Sequence, residues 1–469
     1  MSANASLNSV GIIHQAVARR IAANSRPPMT SSRAMPNKDL KDGRKTRGSK
    51  TAFVVGLALF TALLATYLTS PIRTSADSRW SIATAMSFIR GDGGDLSAYM
   101  PPSPDYAPVS YALRKHGDHT YTMYPIGASL LAVPAVALHV WMNPAFEAFI
   151  RQNVPFRFEM AIASFYGAIA VALFFWMIFA NFDDVRIAVA TAVIFGLGTS
   201  MWSVATRALW QHGPLNLMLI LAMLLLLGAR RRAALAQYAS IPLALSFIMR
   251  PTAAIPIAVF SAYVLICYRP WFVRFMLWAM CVAAPWMAFN IWTWGIVLPP
   301  YYLPGTAVTV GDDSTFGEAL LGNLISPARG LFVFSPVLIF AISGFWLAMR
   351  TREGRSLHIA FGFIIALDWI LVSHLIPWWG GHSFGPRIMS DVLPFLTYFL
   401  AFPLQWCLSA YSPQRTVIAV CIAGLAAVSI FIHAQGALRF APHQWNADPD
   451  IDTHPARLWD WNDLQFARR

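Results

Sequence analysis

An acidic and a basic side chain stand close to the end of the first long apolar run of this sequence. The run covers residues 51–70, and Asp77-Ser78-Arg79 follows shortly after it. A carboxylate held beside an arginine at a membrane surface suits a general base, which contributes roughly 10²–10⁴ in rate when it is well positioned. Residues 79–89 also have the apolar spacing of an amphipathic helix, which Asp77 or Ser78 would cap at its N-terminus. The tripeptide therefore predicts either a catalytic base or a helix cap.

Two turns and one corner between later apolar runs carry the other candidate side chains. They are Arg207, Gln211 and His212 in the turn 206–214, Arg250 at the corner before Pro251, and Trp378, Trp379, His382 and Arg387 in the turn 377–387. Arginine binds phosphate through paired N–H donors, glycine lets a ligand approach the backbone, and tryptophan faces stack on sugar rings. Simpler structural roles stay open, because a turn histidine can pack, a corner arginine can extend to the interface, and tryptophans favour membrane surfaces.

The composition is typical of a protein that crosses a membrane many times. Of the 469 residues, 57% are hydrophobic and only 12% are charged, which indicates an all-α polytopic membrane protein. The net charge of +13 collects in the N-terminal segment and in short turns, as the positive-inside rule expects, so nucleic acid is not predicted as a partner. The four cysteines lie within or at the ends of apolar runs, so neither a disulfide framework nor a CxxC metal site is predicted.

Charge and length together predict the topology. The apolar runs are 51–70, 124–142, 158–180, 187–205, 213–229, 233–249, 251–268, 275–294, 331–349, 357–376, 389–409 and 416–434. If all of them crossed, the arginines at 230–232 would lie outside, against the positive-inside rule. The run 124–142, which Pro125 and Pro134 interrupt, is therefore predicted to be a re-entrant or interfacial helix within one long outer loop, 71–157. This leaves about 11 transmembrane helices, with the N-terminus in the cytoplasm and the C-terminus outside.

Three segments follow from this topology: a disordered basic cytoplasmic tail at 1–50, a transmembrane domain at 51–434, and a periplasmic tail at 435–469. All the candidate side chains then face outside, together with Lys115 from the long loop. The sequence contains no GxxxxGK[ST] nucleotide-binding motif, so an enzyme of this kind would take its energy from a membrane-borne substrate. Asp368 lies inside an apolar run, where an unpaired charge costs about 2.5–3.5 kcal/mol, so a partner or a functional cavity is expected.

Several of these motifs, in this order, resemble the GT-C superfamily of membrane glycosyltransferases. The resemblance is to the bacterial branch that is similar to protein mannosyltransferases and lipid A aminoarabinose transferases, and it covers most of the chain from about 51 to 435. It is carried by Asp77 after the first helix, Tyr124-Pro125-Ile126-Gly127, Arg250-Pro251-Thr252, Ser326-Pro327-Ala328-Arg329-Gly330 before Ser335-Pro336, and Trp379-Gly380-Gly381-His382-Ser383-Phe384-Gly385-Pro386-Arg387. In one departure, Gln211-His212 stands where many relatives have a second acid.

The resemblance implies an inverting glycosyltransferase in the bacterial inner membrane. Its donor would be a sugar linked to a polyprenyl phosphate, and its acceptor a hydroxyl of an envelope glycan or lipid on the periplasmic face. Asp77 would take the proton of that hydroxyl, with His212 beside it. Arg79, Lys115, Arg207, Arg250 and Arg387 would hold the donor phosphate, and Gln211, Trp378, Trp379 and His382 would contact the substrates. No cofactor is implied, since only some branches use a divalent cation, and no metal ligands are assigned.

A transporter or flippase for a lipid-linked saccharide is the alternative from another class of protein. Such a protein would place charged residues at mid-membrane depth, break helices in corresponding positions and contain internal repeats. The sequence has no convincing repeat, and its polar residues concentrate at one predicted face, although Asp368 favours the transporter.

Overall fold

The structure is a computed structural model that describes residues 38–99, 111–303, 309–310 and 313–468, without the side chains of 38–49, 309–310, 313–314 and 376. The chain divides into two units, Met1–Thr51 and Ala52–Arg469. In the first unit, the described part is the beginning of a helix that starts at Lys38. The predicted disordered tail at 1–50 falls mainly on residues 1–37, which lie outside the described residues, so it stays a prediction.

Almost all of the described chain is α-helical. The helices are α1 (Lys38–Thr69), α2 (Ser81–Arg90), α3 (Gly127–Met142), α4 (Ala145–Gln152), α5 (Phe156–Phe182), α6 (Val185–Leu197), α7 (His212–Ala229), α8 (Ser240–Met249), α9 (Ala254–Cys267), α10 (Phe272–Trp294), α11 (Asp313–Ile325), α12 (Leu331–Phe334), α13 (Phe340–Arg350), α14 (Arg355–Ser373), α15 (Leu393–Leu408), α16 (Pro413–Leu438) and α17 (Ala441–Gln444). Shorter helical turns, among them Asp77–Trp80, Met201–Ala205, Pro251–Ala253 and Ile388–Val392, connect several of these. Two small antiparallel sheets pair β1 (Leu113–His116) with β2 (His119–Thr122), and β3 (Thr309–Val310) with β4 (Leu375–Ile376).

Each predicted apolar run coincides with helical structure. Within the described residues, seven stretches are long and apolar enough to cross a membrane: Lys50–Thr69, Phe156–Phe182, His212–Ala229, Arg269–Trp294, Arg355–Ser373, Ile388–Leu408 and Pro413–Leu438. Shorter apolar stretches account for the other runs: Gly127–Met142, Val185–Leu197, Ala233–Met249, Pro251–Cys267 and Pro336–Arg350. The chain is therefore an all-α membrane protein, while the predicted number of about 11 crossings stays a prediction.

The main core forms where α5 packs on α6 and α7, and where α13 packs on α15. Gly344 of α13 permits the second contact, because a Cβ at this position would collide with the backbone carbonyl group of Phe399 in α15. Pro403 within α15 removes one backbone donor, a loss that membrane helices tolerate when neighbouring helices compensate.

A second, smaller cluster joins α2 to α3, α4 and the beginning of α5. The buried face of α2 includes Ile82 and Met86, and Gly91 ends the helix with a φ of 85°. The predicted helix over 79–89 is therefore confirmed in position: a helical turn, Asp77–Trp80, leads directly into α2. α2 packs against α3. This packing fixes the segment that begins with Asp77.

Candidate functional site

The carboxylate of Asp77 begins the turn Asp77–Trp80 and faces two tyrosines and an arginine. Its Oδ1 accepts a 2.8 Å hydrogen bond from the hydroxyl of Tyr111, and its Oδ2 lies 3.9 Å from Nη1 of Arg387. Burial, and then the charge of Asp77, raises the pKa of Tyr111 and of Tyr124, so both hydroxyls stay protonated at neutral pH. Asp77 makes no side-chain cap on this turn or on α2. The alternative prediction of a helix cap is therefore wrong.

Arg387 lies between Asp77 and the indole ring of Trp210. Its guanidinium carbon is 4.0 Å from the centre of that ring, and its Nη2 donates a 2.8 Å hydrogen bond to the carbonyl of Gly380. Nε of Arg387 and Nε1 of Trp210 are buried and make no hydrogen bond within the described part of the chain. Buried N–H donors without an acceptor are rare, so these two atoms mark a place for an oxygen-bearing ligand or a water.

His212, Arg250 and Asp391 form a buried ionic cluster beside Trp210. Oδ1 of Asp391 lies 3.0 Å from Nδ1 of His212 and 3.3 Å from Nη1 of Arg250. The same Nη1 lies 3.1 Å from Nε2 of His212, and Oδ2 of Asp391 accepts a 2.8 Å hydrogen bond from the Thr252 hydroxyl. Nη1 of Arg250 also lies 2.6 Å from Nδ1 of His212, and a neutral imidazole avoids a second positive charge beside this guanidinium. The rings of Trp210 and His212 meet edge to face at 5.3 Å, which makes the cluster continuous with Arg387.

We call this connected group the polar site; it consists of Asp77, Trp210, His212, Arg250, Arg387 and Asp391. Helix ends supply most of it: His212 begins α7, Arg250 lies between α8 and α9, and Asp391 precedes α15. Helix N-termini carry partial positive charge and favour a bound anion such as phosphate. Asp391 was not among the predicted site residues, and it brings an acid to within 3.0 Å of His212 in the turn 206–214.

Glu159, near the beginning of α5, holds the loop that carries Asp77. It accepts hydrogen bonds from the hydroxyl of Ser78 and, at 3.0 Å, from the backbone N–H of Leu209. Its other oxygen lies 3.7 Å from Nη2 of Arg73. One buried carboxylate therefore ties together two loops, the connection between α1 and α2 that carries Asp77 and the turn before α7. Glu159 was not predicted as a site residue, although an acid at the start of an apolar helix is a signal for such a role.

Arg207 uses its donors within the protein. Its Nη1 donates to the carbonyl of Ser70 and its Nη2 to the carbonyl of Tyr67, each at 2.5 Å, and Nη2 also lies 2.9 Å from Oγ of Ser164. Burial lowers the pKa of Arg207 to about 10, so the side chain keeps its charge at neutral pH. These contacts secure the end of α1, and the predicted contact of Arg207 with phosphate stays a prediction.

Gln211, a predicted substrate contact, is buried next to His212 in the chain. Arg79 and Lys115, two of the predicted phosphate ligands, have other surroundings. Arg79 lies in the same turn as Asp77, with its guanidinium carbon 5.7 Å from the centre of the Phe156 ring. Lys115 is exposed on β1. The substrate contacts predicted for these three residues stay predictions.

Trp378, Trp379 and His382 contact the C-terminal segment. Trp378 is buried in a small apolar cluster with Trp445. Nε1 of Trp379 donates a 2.8 Å hydrogen bond to Asp452, and His382 lies 3.6 Å from the same carboxylate. The glycine-rich turn thus splits its side chains: Arg387 joins the polar site, and the two tryptophans and the histidine hold the segment that follows α16.

Arg329 joins this C-terminal segment to the turn that carries Arg387. Its Nη2 donates a 2.6 Å hydrogen bond to Oδ1 of Asn446, and its Nη1 a 2.9 Å hydrogen bond to Oε1 of Gln465. The same Gln465 oxygen accepts a 2.9 Å hydrogen bond from the backbone N–H of Gly385. Burial lowers the pKa of Arg329 to about 9, which still leaves it charged at neutral pH. Arg387 therefore stands on a turn that a distant part of the chain fixes.

A polar cavity of about 260 Å³ opens beside the segment that precedes Asp77. Its walls include Ser75 and Ala76 on one side, and His382 and Asn446 on the other. A cavity of this size suits a small polar group, since ligand pockets typically hold roughly 300–1,000 Å³. The cavity thus provides space for a hydroxyl-bearing molecule next to the candidate base.

His382, Asp450 and Asp452 form a group whose ligand atoms all lie within 4.8 Å of one another. Nε2 of His382 is 3.0 Å from Oδ2 of Asp450. These side chains are exposed or half-exposed, and ion pairs at a surface need no metal to hold them. We therefore assign no metal to this group.

The helices, their apolar composition and the polar site at their ends define a polytopic all-α membrane protein. No protein-family model matches the chain, and no curated protein matches it. The resemblance to GT-C glycosyltransferases therefore stays a prediction that rests on the motifs of the sequence.

Proposed function

We propose that the protein is a GT-C-type membrane glycosyltransferase that takes a sugar from a polyprenyl-phosphate-linked donor. One observation supports this proposal most: the carboxylate of Asp77 lies 3.9 Å from the guanidinium of Arg387, which has a buried N–H donor without an acceptor in the described chain. A base and an anion-binding cation are thus adjacent. Glycosyl transfer from a phosphate needs a base for the acceptor and a cation for the phosphate, separated by no more than the length of one sugar.

The proposed reaction transfers one proton and one electron pair. The acceptor oxygen, from an envelope glycan or a lipid, forms a bond to the anomeric carbon of the sugar with inversion. The bond from that carbon to the phosphate oxygen breaks, and its electron pair leaves with the polyprenyl phosphate. Asp77 takes the proton of the acceptor hydroxyl, while the protonated Tyr111 holds the carboxylate in place. The transition state resembles an oxocarbenium ion, so its leaving phosphate gains negative charge.

Arg387 is the principal phosphate ligand in this proposal, and Arg250 is the second. Arg387 has a free Nε–H donor, and the Trp210 ring stacked on it excludes water from one face. Arg250 is paired with Asp391 and contacts the imidazole of His212, so it offers less net charge. The negative charge that grows on the leaving phosphate interacts more strongly with these two arginines in a site without water than it would in solution. Cations that are already in position therefore lower the energy of the transition state. No cofactor is required.

In this proposal the polar site lies on the periplasmic face of a bacterial inner membrane. The donor reaches the site from the surrounding membrane lipids. The motif resemblance and the positive-inside distribution of arginines support this orientation. Nucleic acid has no part in the proposed reaction.

The replacement Asp77→Asn tests the proposal, with Asp92→Asn as a matched control at an exposed acid after α2. The purified protein in nanodiscs would receive short polyprenyl phosphates that carry candidate sugars, with envelope extract as the acceptor source. Mass spectrometry would measure the release of polyprenyl phosphate. We expect the rate of D77N to be roughly 10²–10⁴-fold lower than that of the wild type, and the rate of D92N to be unchanged. In R387K, we expect the KM for the donor to rise, because lysine lacks the paired donors.

Binding of polyprenyl phosphate separates the two roles. D77N should bind it as the wild type does, whereas R387K should bind it more weakly. Transfer by D77N within tenfold of the wild-type rate would sink the assignment of Asp77 as the base.

A transporter or flippase for a lipid-linked saccharide is the second candidate. Its support is Asp368, a buried acid within α14 whose Oδ2 makes no hydrogen bond in the described chain. Transport of a fluorescent lipid-linked saccharide across proteoliposomes, unaffected by D77N, would favour it.

A further inference from the structure

Asp368 faces Asp391 across a small cavity in the interior of the helix bundle. The cavity measures about 10 Å³ and is lined by both carboxylates, by Thr252 and by the apolar side chains of Leu215 and Ile364, among others. Asp368 is 2% exposed, and its Oδ2 makes no hydrogen bond within the described residues. An orphaned buried oxygen and a cavity that both acids share point to a small ligand between them.

The charges around this cavity do not cancel if both acids are ionised. The charged groups that act on Asp368 are Asp391 and Arg250, and the imidazole of His212 contacts Asp391. With a neutral imidazole, two carboxylates face one guanidinium, and one negative charge is left in the interior of a membrane protein. Burying an uncompensated charge is costly, so one positive charge, a proton or a metal cation, must accompany the pair.

The lining favours a proton over a metal ion. Hard cations such as Ca²⁺ take six to eight oxygen ligands and Mg²⁺ takes six, whereas this cavity offers two carboxylates and one hydroxyl. The Thr252 hydroxyl already donates to Oδ2 of Asp391, and Oδ1 of Asp391 already contacts His212 and Arg250. One acceptor position on Oδ2 of Asp391 is left, which suits a single hydrogen bond.

We infer that Asp368 carries a proton at Oδ2 and binds one water in this cavity, through which it is hydrogen-bonded to Asp391. A water needs roughly 10–15 Å³ and two or more polar partners, and the cavity lies at the lower limit of that range. Asp368 donates to the water, and the water donates to Oδ2 of Asp391. Asp368 is thereby a positioning residue, because it keeps Asp391 ionised and aimed at Arg250. The inference does not depend on the proposed glycosyl transfer.

Infrared spectroscopy of the protein in nanodiscs at neutral pH tests this inference. A protonated carboxylic acid has a carbonyl stretch that a carboxylate lacks, and this band shifts in D₂O. We expect the wild type to show such a band, D368N to lose it, and D92N, which changes an exposed acid, to keep it. D368N replaces the acid by a neutral isostere and should unfold at the wild-type temperature, whereas D368L, which cannot bind the water, should unfold at a lower one.

Two results would overturn the inference. One is a D368N spectrum with the same protonated-acid band as the wild type, which would mean that Asp368 is ionised. The other is a thermal stability that rises with Na⁺ in the wild type but not in D368N, which would identify a metal cation in place of the proton. If D368N fails to fold, D368E serves instead, because a protonated glutamate would move the band without removing it.

Discussion

Replacing Glu159 should loosen the loop that carries Asp77, and the structure sets the size of the effect. In E159A, the backbone N–H of Leu209 and the hydroxyl of Ser78 both lose their acceptor, and the guanidinium of Arg73 loses its carboxylate. One buried unsatisfied donor costs about 1–3 kcal/mol, and breaking a buried ion pair costs about 3–5 kcal/mol. Arg73 is 20% exposed and 3.7 Å away, so its share is reduced. We expect a total loss of about 3–5 kcal/mol.

The isosteric replacement E159Q separates the charge from the hydrogen bonds. Its amide oxygen can still accept from Leu209 and Ser78, but these bonds become neutral ones and the pairing with Arg73 disappears. Hydrogen bonds to charged groups exceed neutral ones by about 1 kcal/mol, so we expect a loss of about 1–2 kcal/mol. The control is Glu353→Gln at an exposed salt bridge with Arg230, for which we expect about 0–1 kcal/mol.

Thermal unfolding followed by tryptophan fluorescence would rank these variants, all in the same detergent. The expected order of stability is wild type and E353Q together, then E159Q, then E159A. An E159A protein as stable as E353Q would refute the reasoning, because it would show that the loops need no common acceptor. Where E159Q still folds, the rate of the proposed glycosyl transfer would report whether the looser turn also displaces Asp77.

Two further predictions concern packing and pH. Gly344→Ala should destabilise the protein by about 1–3 kcal/mol, because the new methyl group would push against the backbone of Phe399; Gly424→Ala, where the methyl meets open space, should be neutral or stabilising in the same melting experiment. Asp95 is partly buried, which opposes ionisation, but hydrogen bonds from His119 and its neighbours lower the pKa of Asp95 to about 2. The stability that Asp95 gives to the sheet of β1 and β2 is therefore present above about pH 4 and is lost as the pH falls towards 2. Hydrogen exchange of the backbone amides in this sheet should become faster over that range in the wild type, whereas D95N should show no such change.

The apolar runs predicted the helices because length and hydropathy are local properties that a membrane span must satisfy. The sequence also predicts Asp77 and Arg387 as site residues, because an acid and an arginine next to apolar runs are conspicuous, and the structure brings the two side chains to 3.9 Å from each other. The sequence does not show that these two residues lie near Trp210, because this depends on how three turns that are distant in the chain meet. The same holds for Asp391, whose partner His212 stands 179 residues earlier in the chain.

Two predicted groups also make contacts within the protein that the sequence does not indicate, while their predicted ligand contacts stay predictions. Trp378 and His382 have the chemistry of a sugar site, yet they pack on the C-terminal segment, whose course no spacing pattern reveals. Arg207 has the chemistry of a phosphate ligand, yet backbone carbonyls at the end of α1 occupy its donors. Carbonyl groups at a helix end need donors from outside the helix, and the sequence does not show which arginine will supply them.

The hydrogen bonds of Gln465 impose an order on the biosynthesis of the protein. Gln465 secures the backbone of Gly385, and thereby the turn of Arg387, from 80 residues further along the chain. All helices up to α16 are therefore synthesised before Gln465 can make this hydrogen bond. A nascent chain that stalls after α16 has its apolar helices but lacks the Gln465 contact that holds the turn of Arg387. The contacts that fix the turn of Arg387 are therefore completed only after residue 465 has been translated.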